Sequence, residues 1–165
     1  ADIVALINKK SNNFYAEQVL RTIGWGGSVE GGAQRIEQLL RRAGVSRFPA
    51  VHDGSGLSRR NLVAPATFTT LLRYMDSHPE ADAFRASLAE SGERNTTMEY
   101  RLSRHPVRAK TGSLRYVRAL SGYAERPNGS RVAFSMMANN YEGSSWRVRR
   151  TMDEIVKTLT ESTVL

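Results

Sequence analysis

Three polar stretches hold residues whose types and spacing could do chemistry: Ser11-Asn12-Asn13, Asp53 to Arg59, and Lys110 to Ser113. The third is the most suggestive. An apolar-flanked run, Val107 to Thr111, leads into Gly112 and Ser113. A cation, two hydroxyls and a glycine on one strand edge make a seat for an anion such as a peptide carboxylate. Taken singly, each stretch has a plain structural reading. Ser-x-Asn between helices is an ordinary N-cap. Asp-Gly-Ser-Gly is an ordinary turn, in which Asp53 caps the backbone of its own loop. Lys-Thr-Gly is an ordinary strand end. The elements that carry the stretches decide whether they can form one site.

Composition narrows the chemistry first. The 165 residues include no cysteine, which rules out disulfides, thiolate nucleophiles and cysteine zinc sites. His52, His78 and His105 show no i,i+4 spacing, so neither a metal site nor a cofactor is expected. A formal charge of +8 and a pI of about 10.3 favour anionic surroundings: nucleic acid, anionic lipid or an acidic wall polymer. The arginines are scattered, which equally suits a solubilising surface. No apolar run reaches membrane-spanning length, and no segment reads as a signal peptide.

The chain opens in what reads as the end of a helix, Ala1 to Ile7, followed by a polar break. Asn12 or Asn13 can cap a helix over about Phe14 to Ile23, with Tyr15, Val19 and Ile23 on one face. Trp25 to Gly32 is glycine-rich, lacks the phosphate-loop pattern and reads as a connector. Ala33 to Ala43 is an amphipathic helix striped by Ile36, Leu39 and Leu40. Phe48 to Val51 reads as extended. Pro65 starts a helix carrying Phe68, Leu71, Leu72 and Met75, and His78-Pro79 stops it. A shorter helix is expected over Glu80 to Glu90, and Ser91 to Arg104 gives no periodic signal.

Three strands follow, Val107 to Thr111, Arg115 to Ala124 and Arg131 to Ala138. Asn128-Gly129 between the last two is a strong hairpin signal. The near-continuous apolar character of the third predicts a central strand covered on both faces. A terminal helix over 145–161 turns Val148, Met152, Ile155, Val156 and Leu159 inward. The order is thus a helical block (1–105), a three-strand antiparallel meander (107–138) and a packing helix, an α+β arrangement.

In this order, Ser11-Asn12-Asn13 and Lys110-Thr111-Gly112 match the second and third motifs of the penicillin-recognising serine acyltransferases. The loop Asp53-Gly54-Ser55-Gly56-Leu57-Ser58-Arg59 resembles one subgroup closely. That subgroup is the D-alanyl-D-alanine carboxypeptidase/endopeptidase family, the class C low-molecular-mass penicillin-binding proteins. Leu120-Ser121-Gly122-Tyr123 and the terminal helix extend the resemblance over nearly the whole chain. It implies part of a helix–antiparallel sheet–helix fold of the penicillin-binding and β-lactamase-like kind. Ser91 to Met98 departs from the Gly-x-Asp-Gly-Thr-Leu-like segment of many members.

The resemblance also implies roles. Acyl transfer needs a nucleophile, a base, an oxyanion hole and a proton path to the leaving amine. Ser11 would relay that proton. Asn13 would bond the peptide carbonyl and help hold the base. Lys110 would supply charge for the terminal carboxylate and polarise Ser11. Thr111 and Ser113 would bind that carboxylate, with the Ser113 N–H as half of the oxyanion hole. Gly112 would let the substrate approach the strand. Arg59 would help recognise a free carboxylate, and Leu114 and Trp25 would line the pocket.

The family's nucleophile and base sit in Ser-x-x-Lys, which follows no serine of this sequence. The chain is therefore expected to be the C-terminal portion of one domain. Its partners would be an N-terminal portion carrying Ser-x-x-Lys, peptidoglycan D-Ala-D-Ala peptides and β-lactams, outside the cytoplasm or in the periplasm. Neither nucleic acid nor an integral membrane segment is expected. A class A β-lactamase-like hydrolase, a catalytically inactive wall-binding relative and a basic nucleic-acid module are the alternatives. Against the last, no helix gathers its basic residues on one face.

Overall fold

The computed structural model describes residues 2–162. Its elements are α1 (Asp2–Lys10), α2 (Asn13–Ile23), a 3-10 turn (Trp25–Gly27), α3 (Val29–Arg42), α4 (Pro65–Asp76) and α5 (Ala81–Ser87). The strands β1 (Ala89–Glu90), β2 (Val107–Leu114), β3 (Val117–Glu125) and β4 (Arg131–Asn139) follow, and α6 (Ser145–Glu161) closes the chain. The sheet is antiparallel, in the order β1-β2-β3-β4.

Strand alternation sorts the sheet into two faces. Val107, Ala109, Leu120, Ala124 and Phe134 pack with Met152 and Val156 of α6 into the main core. Tyr123 and Ala133, on the opposite face, pack with Leu72 of α4 and with Phe84 and Leu88. The buried Tyr123 hydroxyl donates to the Leu72 carbonyl at 2.6 Å and ties that face to α4. Helices thus cover both faces, and the α+β reading holds.

Several boundaries differ from the sequence reading, each for a local reason. α1 runs on to Lys10, since Lys9 and Lys10 suit the negative end of a helix. α3 starts at Val29, capped by the Ser28 hydroxyl, and takes in Gly31 and Gly32. Those glycines are packing devices: a Cβ on Gly32 would lie 2.2 Å from the Leu20 carbonyl oxygen. Helix α2 accordingly buries Leu20, while Tyr15 and Ile23 stay exposed. α5 ends at Ser87, which frees Ala89 and Glu90 to pair with Ala109 and Arg108. The meander therefore has a fourth, two-residue strand.

β3 starts at Val117, with Arg115 and Tyr116 as the turn and Tyr116 at φ 62°. β4 is not central: among the described residues it is an edge strand, paired with β3 alone. Its apolar side chains are consumed by facing α4 and α6, and Phe134 is buried. Ile155 of α6 points outward at 47% exposure. The segment 91–104 is held down by buried Met98 and Leu102 and by Arg101, whose guanidinium pairs with Asp153 of α6 at 2.6 Å.

Candidate active site

Ser11 and Asn12 are the two-residue joint between α1 and α2. The Asn12 side chain accepts the Tyr15 N–H at 3.0 Å, which starts α2. Ser11 sits at φ 55°, in the left-handed region that residues with side chains enter rarely. The 91–104 segment braces this joint from outside. Lys9 pairs with Glu93 at 2.6 Å, and the Thr97 N–H donates to the Lys9 carbonyl at 3.0 Å. The Lys10 ammonium donates to the Asn95 carbonyl.

Lys110 is placed by strand alternation on the helical-block side of the sheet. Its Nζ donates to the Ser11 hydroxyl at 2.7 Å and to the Thr111 carbonyl at 2.7 Å. The Ser11 contact joins two motifs 99 residues apart. Burial pulls the Lys110 ammonium down to about 8. Asn13 opens α2 with its side chain exposed and unbonded among the described residues.

Thr111 and Ser113 alternate to the other face, that of α6. Gly112 lies between them, and a Cβ there would meet the Ala119 side chain at 3.1 Å. A side chain at this position would thus crowd β3 before it met any ligand. Because β1 pairs only with Arg108 and Ala109, the outer edge of β2 is unpaired from Lys110 to Leu114 among the described residues. No strand occupies that edge, although the Thr111 carbonyl already accepts the Lys110 ammonium. Leu114 is half-buried, and its carbonyl accepts from Arg118 at 2.7 Å.

The Asp53 loop has the self-capped structure. Its carboxylate accepts the Ser55 hydroxyl at 2.6 Å and the N–H groups of Gly56, Leu57 and Ser58 at 3.1, 3.0 and 3.0 Å, together with the Asn61 amide. Burial raises this carboxyl, but the bonds from Ser55, Asn61, Ser58 and Gly56 outweigh it and hold it below the usual range. Glu17 of α2 accepts the Gly54 N–H at 2.7 Å and docks the loop on the helical block. Arg59 donates to the Arg115 carbonyl at 3.2 Å, so the loop ends beside the β2–β3 turn. Trp25 does not join these residues: it lies exposed under the Arg35 guanidinium, 4.7 Å from its ring centre.

One group of residues had no sequence signal. Thr97, Arg101, Arg118, Trp146 and Arg149 converge with Thr111 and Ser113 on the α6 face. The register Ser113↔Arg118 across the β2–β3 hairpin accounts for one of them. A turn signal at Arg115-Tyr116 would have revealed it, but neither residue is a glycine or asparagine.

The family model for the D-Ala-D-Ala carboxypeptidase 3 (S13) family matches residues 1–161. The chain is similar to the D-alanyl-D-alanine carboxypeptidase of Actinomadura sp. (strain R39), 36% identical over 156 residues, 87% of this chain and 29% of that protein. It spans 29% to 32% of the length of the curated relatives it matches. Among solved structures it resembles penicillin binding protein 4 (dacB) from Haemophilus influenzae, complexed with a novel beta-lactam. The TM-score is 0.84 at 27% identity, covering 98% of this chain and 41% of that one. The TLA-3 extended-spectrum beta-lactamase matches with a TM-score of 0.74 at 17% identity, over 96% of this chain and 62% of that one, which speaks to the fold. With residues 1–161 matched and the Ser11, Asp53 and Lys110 stretches set around one strand edge, the chain belongs to the D-Ala-D-Ala carboxypeptidase 3 (S13) family.

Proposed function

We propose that this chain forms one wall of a serine-type D-Ala-D-Ala carboxypeptidase whose same wall also serves endopeptidase action. It acts outside the cytoplasm on peptidoglycan stems, through an acyl-enzyme that β-lactams also form. The observation that carries this reading is the 2.7 Å bond from Lys110 to Ser11. It couples a cation on the strand edge to a hydroxyl at the joint of two helices. Support also comes from the unpaired edge of β2, against which a peptide can add as a strand.

In this reading the opposite wall, a companion N-terminal portion, brings the nucleophilic serine and its lysine base. The serine oxygen attacks the penultimate D-alanine carbonyl carbon. The developing oxyanion is held by the Ser113 N–H. The C–N bond breaks, and Ser11, polarised by Lys110, passes the proton to the leaving nitrogen. Asn13 bonds the substrate's peptide carbonyl. Thr111 and Ser113 seat the terminal carboxylate, and Water then hydrolyses the ester. Arg59 holds the β2–β3 turn beside the groove, within reach of a free stem carboxylate, and Leu114 borders it.

Labelling with a fluorescent penicillin tests this. The 165-residue chain alone is expected to take no label. Combined with the N-terminal portion it gives a long-lived adduct, and Lys110→Ala lowers the labelling rate by about a hundredfold, the scale of one electrostatic stabiliser. Labelling of the isolated chain would move the nucleophile onto it. Rapid β-lactam turnover would make the protein a β-lactamase-like hydrolase instead.

A further inference from the structure

The α6 face of the sheet carries a feature most of whose residues none of these roles uses. A cleft of about 220 Å³ opens between the ends of β2 and β3 and the first turns of α6. Its walls include the Thr111 and Ser113 positions, Arg118, Trp146 and Arg149, and no carboxylate lines it. Arg101 also reaches it but is neutralised by Asp153, with Nε and Nη2 at 3.1 and 2.6 Å. Arg118 spends Nη1 on the Leu114 and Val117 carbonyls at 2.7 and 2.8 Å. The rest of its guanidinium, and all of Arg149, have no protein acceptor among the described residues. On the same wall the Thr97 hydroxyl is buried and unpartnered.

The sequence of α6 is odd in the same place. The positive end of a helix favours carboxylates, yet the first turn of this 17-residue helix has none. Arg147 stands there instead, Arg149 and Arg150 follow in the second turn, and Asp153 is the first acid. Arg147 works against the macrodipole. Trp146 stands 54% exposed at the cleft mouth, with Arg150 over its ring at 5.4 Å. Breaks of local rules without structural gain collect at functional sites.

We propose that this cleft receives an anionic group carried by the leaving-side residue of the substrate. Arg118 and Arg149 are its cations, and Trp146 is the apolar contact for the connecting chain. The preferred substrates are then peptides whose residue beyond the scissile bond bears a side-chain carboxylate or an acidic continuation. The orientation rests on the proposed function, which seats the terminal carboxylate on Thr111 and Ser113. The cleft shares those two residues, so a group attached next to that carboxylate enters it directly.

The chain contains two tryptophans, so Trp25→Phe leaves Trp146 as the only indole reporter. Its emission is titrated with acetyl-D-alanyl-D-glutamate, and with the D-glutamine and D-lysine counterparts. The acidic peptide is expected to bind roughly fivefold tighter than the neutral one, the upper range for a partly exposed charge pair. The lysine peptide binds weakest. Arg149→Glu inverts that order, and Arg118→Gln flattens it. Equal binding of the three peptides overturns the proposal. So does an Arg149→Glu chain that weakens all three alike, the mark of a merely structural residue. Absence of a penicillin adduct in the reassembled enzyme removes the catalytic reading by itself. Charge-ranked binding in that case sustains the cleft as an anion site.

Discussion

Lys110 is the residue at which charge and burial conflict. An ammonium held at about 8 in the folded chain is near 10.5 when exposed. Between those values the unfolded chain keeps a proton that the folded chain has lost, so stability rises with pH across that window. Below it the folded state carries the whole cost, at most about 3 kcal/mol. Tyr123, pushed up to about 12 by burial, acts the other way above pH 10. Urea unfolding from pH 8 to 10 is therefore expected to show stability climbing in the native chain and much flatter in Lys110→Met. An equal slope in both would show that Lys110 is not the titrating group. The same titration removes the cation, so penicillin labelling of the reassembled enzyme is expected to decline on the alkaline side. The meeting of Ser11 and Lys110 was legible because their motifs stand in order along the chain, whereas Asn13 makes no bond among the described residues. Arg118 and Arg149 were not legible, since an arginine acquires meaning only from the residues that share its face.

At the scale of elements, close approach decided what propensity could not. Gly31 and Gly32 read as loop because glycine disfavours helix interiors. In the fold Gly32 lets α3 press its backbone against Leu20 of α2, the helix that begins at Asn13, while Gly31 makes room for the Trp25 backbone. Gly32→Ala is expected to cost about 1–3 kcal/mol, the usual range for overpacking. Urea midpoints measure it, and Gly26→Ala, where a Cβ meets nothing within 4 Å, separates steric cost from the backbone strain of its positive φ. A Gly32→Ala chain as stable as the native one would mean that α2 and α3 pack less closely than described. Strands and helices with clear periodicity, such as α4 and α6, were legible in the sequence. The two-residue β1 was not, because only pairing with Ala109 makes Ala89 and Glu90 a strand.

For the whole molecule, two features suit a neighbour: an exposed apolar stripe on α1 and α2 and an unpaired strand edge on β4. Ile3, Val4, Phe14 and Tyr15 are exposed along α1 and α2 at 53%, 43%, 67% and 39%. The outer edge of β4 has no strand partner among the described residues. Both suit a companion portion of the same domain. Fluorescence of an apolar dye such as anilinonaphthalene sulfonate is expected to be high with this chain and to drop several-fold once the N-terminal portion is added. No drop would mean that the companion covers neither surface. The α+β layering was legible from the order of elements; apolar content alone read β4 as central, and only the family resemblance, whose last strand pairs with N-terminal strands, pointed to an unpaired edge on Arg131 to Ala138. The shortness of β1 has a last consequence. It occupies the β2 edge at Arg108 and Ala109 and stops. That leaves the edge from Lys110 to Leu114 bounded at one end. Under the function proposed above, a peptide paired along it would meet β1 there, and a longer chain would have to leave the plane of the sheet.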